Sequence, residues 1–305
     1  MKTTMRRYIV AMALMSALIS CNKKVENPDR TGEIIVSAKV NALTKAGYEG
    51  NTSLPEVFVI SIDQQADRYD YSLMEMNKSQ SENRYTADES LLWASDNHDD
   101  VVVKAMTLPY GLDAVDESNP MVVSVSLEQN DEDNVAASDL LVASTGKGVS
   151  IVENDIIVNF SHVMAKLLVS YEFSAEFRDV TVNSLALMNI CTTGGYSYND
   201  MDYAPSVSLD YGDVAMYHNA SDKTAEAIFY PYVPTESPVL ALNATIGGVT
   251  HEFTCPVTPN DEAGFSGGKC YRLNVAVVSS STDGISASIT CGWDTSTEDK
   301  DFVTE

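Results

Sequence analysis

Leu240-Ala241-Leu242-Asn243-Ala244-Thr245-Ile246-Gly247-Gly248-Val249-Thr250-His251-Glu252-Phe253-Thr254-Cys255 reads as two strands and the turn between them. Leu240, Leu242, Ala244 and Ile246 share one phase of a two-residue period, and Val249, His251, Phe253 and Cys255 share another. Side chains alternate across a strand, so each set lies on one face. Gly247-Gly248 is a two-residue turn suited to positive φ. It pairs Ile246 with Val249, Ala244 with His251, Leu242 with Phe253 and Leu240 with Cys255. His251 falls on the apolar phase and reads as a partly buried, hydrogen-bonded residue rather than a catalytic one.

The same period recurs outward from this hairpin. Ile34 to Val40, Val57 to Ile62, Val101 to Ala105, Met121 to Leu127, Tyr271 to Val278 and Ile285 to Trp293 are strand candidates. In Phe160 to Phe173, residues Val163, Ala165, Leu167, Val169, Tyr171 and Phe173 keep one phase. His162, Lys166, Ser170 and Glu172 form the opposite, wet face. In the first strand Ile34, Val36 and Ala38 share a face, and Ile35 and Val40 add apolar area. One short helix is expected at Asp88 to Ala94. Many strands without alternating helices predict an all-β, sandwich-class chain. About 285 mature residues allow one large or two ordinary domains. A boundary near Ser144-Thr145-Gly146-Lys147-Gly148 predicts an N-terminal domain over 33–147 and a C-terminal domain over 148–305. The latter ends in an acidic tail with some strand character at Asp301 to Thr304.

The amino terminus reads as an export signal over 1–20. Lys2, Arg6 and Arg7 precede an apolar run, Tyr8 to Ile19, too short to span a bilayer. Leu18-Ile19-Ser20-Cys21 resembles a lipobox, with Cys21 as the lipidated residue; several acyl chains would anchor it firmly. Residues 21–32, polar and with Pro28, read as a tether. Of 19 basic and 44 acidic residues, the signal holds three basic and no acidic ones, so the mature chain carries −28. That charge repels nucleic acid and anionic headgroups, and no nucleic-acid partner is expected.

Catalytic patterns fail on context. Gly264-Phe265-Ser266-Gly267-Gly268 matches the letters of a nucleophile elbow, which needs a following helix and a later histidine. A strand pattern follows instead, and His98, His162, His218 and His251 all precede it. A phosphate loop ending at Lys269 fails at Ala263 and Cys270. Asp96 to Asp100 and Asp131 to Asn134 are acidic clusters without the calcium-loop spacing. Cys191, Cys255, Cys270 and Cys291 form no Cys-x-x-Cys pair; four cysteines permit three full pairings and the sequence does not choose. No metal, cofactor or enzymatic activity is expected. Tyr196, Tyr198 and Tyr203 sit in an aromatic, polar stretch, the best candidate for a glycan-binding loop.

Taken in order, these features resemble the fimbrillins, pilins of anaerobic gut and oral bacteria. The resemblance rests on the lipobox with Cys21-Asn22-Lys23, the strand Ile34 to Val40 leading into Ala42-Leu43-Thr44-Lys45-Ala46, and Ser138-Asp139-Leu140-Leu141. It continues in Phe160-Ser161-His162-Val163-Met164-Ala165-Lys166-Leu167, Phe229-Tyr230-Pro231-Tyr232-Val233-Pro234, Gly268-Lys269-Cys270-Tyr271 and Trp293. It implies two tandem transthyretin-like Greek-key β-sandwiches, a lipoprotein of the outer membrane, and a place in a cell-surface fimbrium. It also implies protease-triggered release of the strand carrying Ile34, Val36, Ala38 and Val40. The matching cleavage position is Lys45-Ala46, where the family often has arginine; Arg30 is the other basic candidate, but a cut there leaves the first strand in place. The implied partners are other fimbrial subunits, with the refilling strand taken from a C-terminal segment such as Ile285 to Trp293 or the Asp301 to Thr304 tail. A surface glycan-binding or adhesin lipoprotein on the same fold, with a host or bacterial glycan or protein as ligand, is the alternative.

Overall fold

The computed structural model of the chain describes residues 32–40, 54–66, 68–80, 83–259, 264–279 and, for their backbone, 287–293. The first strands are β1 (Ile35–Val40), β2 (Val57–Asp63), β3 (Tyr71–Lys78), β4 (Arg84–Thr86), β5 (Val102–Met106) and β6 (Met121–Ser124). A helix, α1 (Glu132–Ala137), follows, then β7 (Leu141–Thr145), β8 (Gly148–Val152) and β9 (Asp155–His162). Next come β10 (Ala165–Phe173), β11 (Val180–Ser197), β12 (Asp202–Tyr203), β13 (Asp210–Ala215), β14 (Tyr217–Asn219) and β15 (Thr224–Phe229). The chain continues through β16 (Val239–Ile246), β17 (Val249–Pro256), β18 (Cys270–Ser279) and β19 (Ala287–Trp293).

The strands make three sheets. The first closes into a barrel in the order β1-β4-β3-β2-β5-β7-β8-β9, with β9 returning to β1. The other two, β14-β15-β10-β18-β19 and β12-β11-β16-β17 with β6 and β13 added on β11, share one core. Leu167, Val169 and Tyr171 of one sheet and Leu185, Leu187, Leu240 and Leu242 of the other are buried in it. The all-β expectation holds, and the second pair of sheets is a sandwich. The first sheet differs from the sandwich expectation because β1 bridges its two edges and closes it.

The β16–β17 hairpin has the predicted register: Ile246↔Val249, Ala244↔His251, Leu242↔Phe253 and Leu240↔Cys255. Gly247 and Gly248 have φ of 58° and 83°, as a hairpin turn of this kind demands. Around residue 147 the structure has a turn inside the barrel. Ser144 and Lys147 bond each other's backbone, and Gly146 and Gly148 have φ of 81° and 88°. Strands β8 and β9 on its far side pair with β7 and β1, so the change of sheet falls after His162. The stretch Ser144 to Gly148, where the sequence suggests a boundary, is a tight turn.

Phe160 to Phe173 is accordingly two strands, broken at Val163-Met164 where the chain leaves the barrel. The face predicted to be wet is partly covered. Lys166 is buried and pairs with the equally buried Glu226 at 3.0 Å, across the β10–β15 ladder. His162 Nδ1 lies 2.6 Å from Asp139 Oδ2, with both side chains buried. Asp88 to Ala94 is not helical: Leu92 bridges Glu33, and Leu91 and Trp93 are buried. The helix is α1 instead, begun by Asp131, whose carboxylate accepts from Asn134 N at 2.8 Å. An N-cap aspartate followed by acids in the first turn suits the orphan N–H groups and the helix dipole.

A buried pair leaves a costly charge when one partner is removed alone. Lys166→Met should lower folding stability by about 3–5 kcal/mol in denaturant melts, and the double variant Lys166→Met/Glu226→Leu should recover most of that loss.

Candidate functional site

Strand β1 is built into the barrel on both sides. It runs parallel to β9 over six pairs, from Ile35↔Asp155 to Val40↔Phe160, and antiparallel to β4 at Val36↔Tyr85 and Ser37↔Arg84. Ile35 N donates to Asn154 O at 3.0 Å and Ala38 N to Asn83 O at 3.1 Å. Before the strand, Ile34 N donates to Leu91 O and Trp93 N to Gly32 O. Alternation decides what faces inward. Ile34 and Val40 are 6% exposed, Val36 1% and Ala38 0%, while Lys39 is exposed. All four strand residues predicted for release thus share the inner face.

Phe58, Tyr85, Trp93, Ile156, Val158 and Phe160 belong to the same buried cluster. The Phe58 ring sits 4.7 Å from Tyr85 and 5.1 Å from Phe160. Tyr85 can be buried there because its hydroxyl donates to Pro55 O at 2.6 Å. Sequence reading missed these walls, apart from Phe160, because they come from β2, β4, β9 and the loop before β5. The apolar triplet Leu91-Leu92-Trp93 was the signal available for that loop. Cys21, Arg30, Lys45, Ala46 and the 301–304 tail lie outside the described residues. The other proposed source of a refilling strand, Ile285 to Trp293, supplies β19, which is paired with β18 from Leu273↔Trp293 to Ser279↔Ala287.

The three tyrosines chosen as a glycan platform lie elsewhere, and of them only Tyr203, 39% exposed, reaches the surface. Tyr196 and Tyr198 are 2% exposed. Tyr203 packs edge-on to Tyr196 and Tyr230, and its hydroxyl donates to Val163 O at 2.6 Å. Tyr230 lies against Gly194, where a Cβ would come within 2.2 Å of the ring. Tyr198 reaches the barrel: its hydroxyl is 3.0 Å from both the Ser61 hydroxyl and the Lys104 carbonyl. Lys104 in turn donates to Asn199 O at 2.6 Å. Through Tyr198 the loop therefore latches the sandwich to β2 and β5.

A cleft of about 960 Å³ lies between the barrel rim, α1 and the β10–β15–β14 face. Most of its acids are engaged internally: Glu56 with Lys78, Glu132 with Tyr217, Asp139 with His162, Asp222 with Asn219, and Glu226 with Lys166. Among the described residues no group of three or more His, Cys, Asp or Glu is placed to hold a metal ion. Ser266 stands in the loop before strand β18, as its sequence context predicted. Cys255 is disulfide-bonded, while Cys191 is a free thiol. Cys191 is buried and its thiol is pushed up to about 11 by desolvation. The Cys291 side chain lies outside the described residues.

Fold and site together define an all-β protein of a closed barrel joined to a sandwich, with a short N-terminal strand filling a slot in the barrel. A family model described as fimbrillin-like matches residues 42–291, and the chain belongs to that family. The match begins after β1. No curated protein sequence matches the chain. Among solved structures, a candidate cell adhesion protein of Bacteroides ovatus superposes with a TM-score of 0.62 at 13% identity, over 86% of this chain and 96% of that one. A second, from Bacteroides uniformis, gives 0.53 at 17% identity, over 86% and 97%. At these identities the likeness is one of fold.

Burial pushes the Tyr198 hydroxyl up to about 12, against about 10 for an unperturbed tyrosine. The raised value means that its stabilisation is complete below about pH 10 and is lost as pH rises toward 12. Tyr198→Phe should cost about 1 kcal/mol in guanidinium melts at pH 8, and the gap from the parent should narrow by pH 11.

Proposed function

We propose that this protein is a structural subunit of a cell-surface fimbrium, exported as a lipoprotein through Cys21 and assembled by exchange of β1. In this reading a protease cuts at Lys45-Ala46, β1 leaves, and a strand from a neighbouring subunit refills the slot. Such exchange is β-augmentation: the backbone edges give affinity and alternating side chains give fit. A head-to-tail pairing that does not close yields a filament.

The observation that carries the reading is the position of β1. Three of its side chains, with that of Ile34 just before it, are buried in the barrel core. Lys45 follows it by five residues, so one cut severs it from the body of the fold. Membership of the fimbrillin-like family over 42–291 supports the same role. An uncut subunit keeps its lipid and serves as an anchor; a cut one serves as stalk or tip.

Trypsin applied to the native protein should cut Lys45-Ala46 first, leaving the body from Ala46 onward intact. The cut β1 segment should exchange with a labelled copy of itself, and Lys45→Ala should abolish both effects. If the native bond resists trypsin, or the cut segment never exchanges, the assembly role is wrong.

A further inference from the structure

The three inward positions of β1 and that of Ile34 just before it differ in size. Ile34, Val36 and Val40 are branched, and between the two valines stands Ala38, with no exposed surface. Ala38 pairs with Val158, and Val36 with Ile156, in the β9 register. Phe58, Val158, Ile156 and Phe160 are 0% exposed and Tyr85 3%. Protein interiors are close-packed, so a fully covered methyl group has no spare volume beside it. A larger side chain there forces rotamers or backbone to shift. The outward positions, Ser37 and Lys39, carry no such limit.

Resting on the strand-exchange reading, we propose that the β1 slot sorts incoming strands by side-chain size. It takes branched apolar residues at the positions of Ile34, Val36 and Val40 and a small residue alone at that of Ala38. The occupant is an extended segment of a different subunit with that alternation. Neither candidate segment of this chain matches that demand: β19 is already paired with β18 over seven residues, and the stretch 294–305, DTSTEDKDFVTE, offers no four apolar side chains in alternation.

The test uses the full chain cut by trypsin and fluorescein-labelled peptides with the sequence of residues 32–40. The parent peptide should enter the slot, and the Ala38→Leu peptide should bind roughly 10- to 100-fold more weakly. The Val36→Ile and Lys39→Ser peptides should stay close to the parent. Equal binding of the parent and Ala38→Leu peptides overturns size selection. Failure of every peptide, parent included, overturns strand exchange itself. A second arm needs no cleavage: in the intact chain, Val36→Ala/Ala38→Val keeps the composition and exchanges the sizes. It should melt below the parent protein, and a melting temperature equal to the parent's overturns the size order independently.

Discussion

Closure of the barrel by β1 is the constraint on which the first half of the molecule depends. Strand β9 has β1 as its parallel neighbour over six residues, and β4 has it as an antiparallel neighbour at two. Without it those edges lose their backbone partners, and an unpaired edge is a template for another strand. The side chains matter as much. Four buried aliphatic residues contribute on the order of 5–10 kcal/mol at the usual transfer values. That is comparable with the whole net stability of a domain. An emptied slot is therefore not a stable state, and whatever removes β1 creates a demand for a replacement.

The remainder of the fold is tied to the barrel without relying on β1. Val59, Met106 and Val142, on the barrel strands β2, β5 and β7, are buried in the cluster shared with the sandwich. The Tyr198 hydroxyl meets Ser61 and the Lys104 carbonyl, and Asp139 holds His162 where the chain crosses between units. None of these contacts involves residues 32–40. Loss of the first strand thus removes none of these contacts directly.

Local pattern made part of this legible in advance. The β16–β17 register followed from alternation and Gly247-Gly248, because a two-residue turn leaves little freedom in pairing. The inward face of β1 followed from alternation as well. Closure of the barrel did not, since β1 and β9 are parallel and more than a hundred residues apart, and periodicity within a strand carries no information about a distant neighbour. Strand β11 escaped notice because register shifts between Val182 and Ser184, Leu187 and Ile190, and Cys191 and Thr193 break its period. Lys166 was assigned to water because lysine usually is; Glu226, sixty residues later, reverses that. The tyrosine loop looked like a platform because Tyr-Ser-Tyr-Asn-Asp is polar in composition. Its hydroxyl partners are backbone carbonyls at Val163 and Lys104, which no local reading supplies.

The central claim is that β1 is absent from the assembled, surface-exposed protein. The direct measurement is the mature amino terminus, by mass spectrometry of filaments sheared from the cell surface. The account predicts chains beginning at Ala46, with Val36 and Ala38 missing from their peptides. Filaments whose subunits of this protein all begin at a lipidated Cys21 would contradict it.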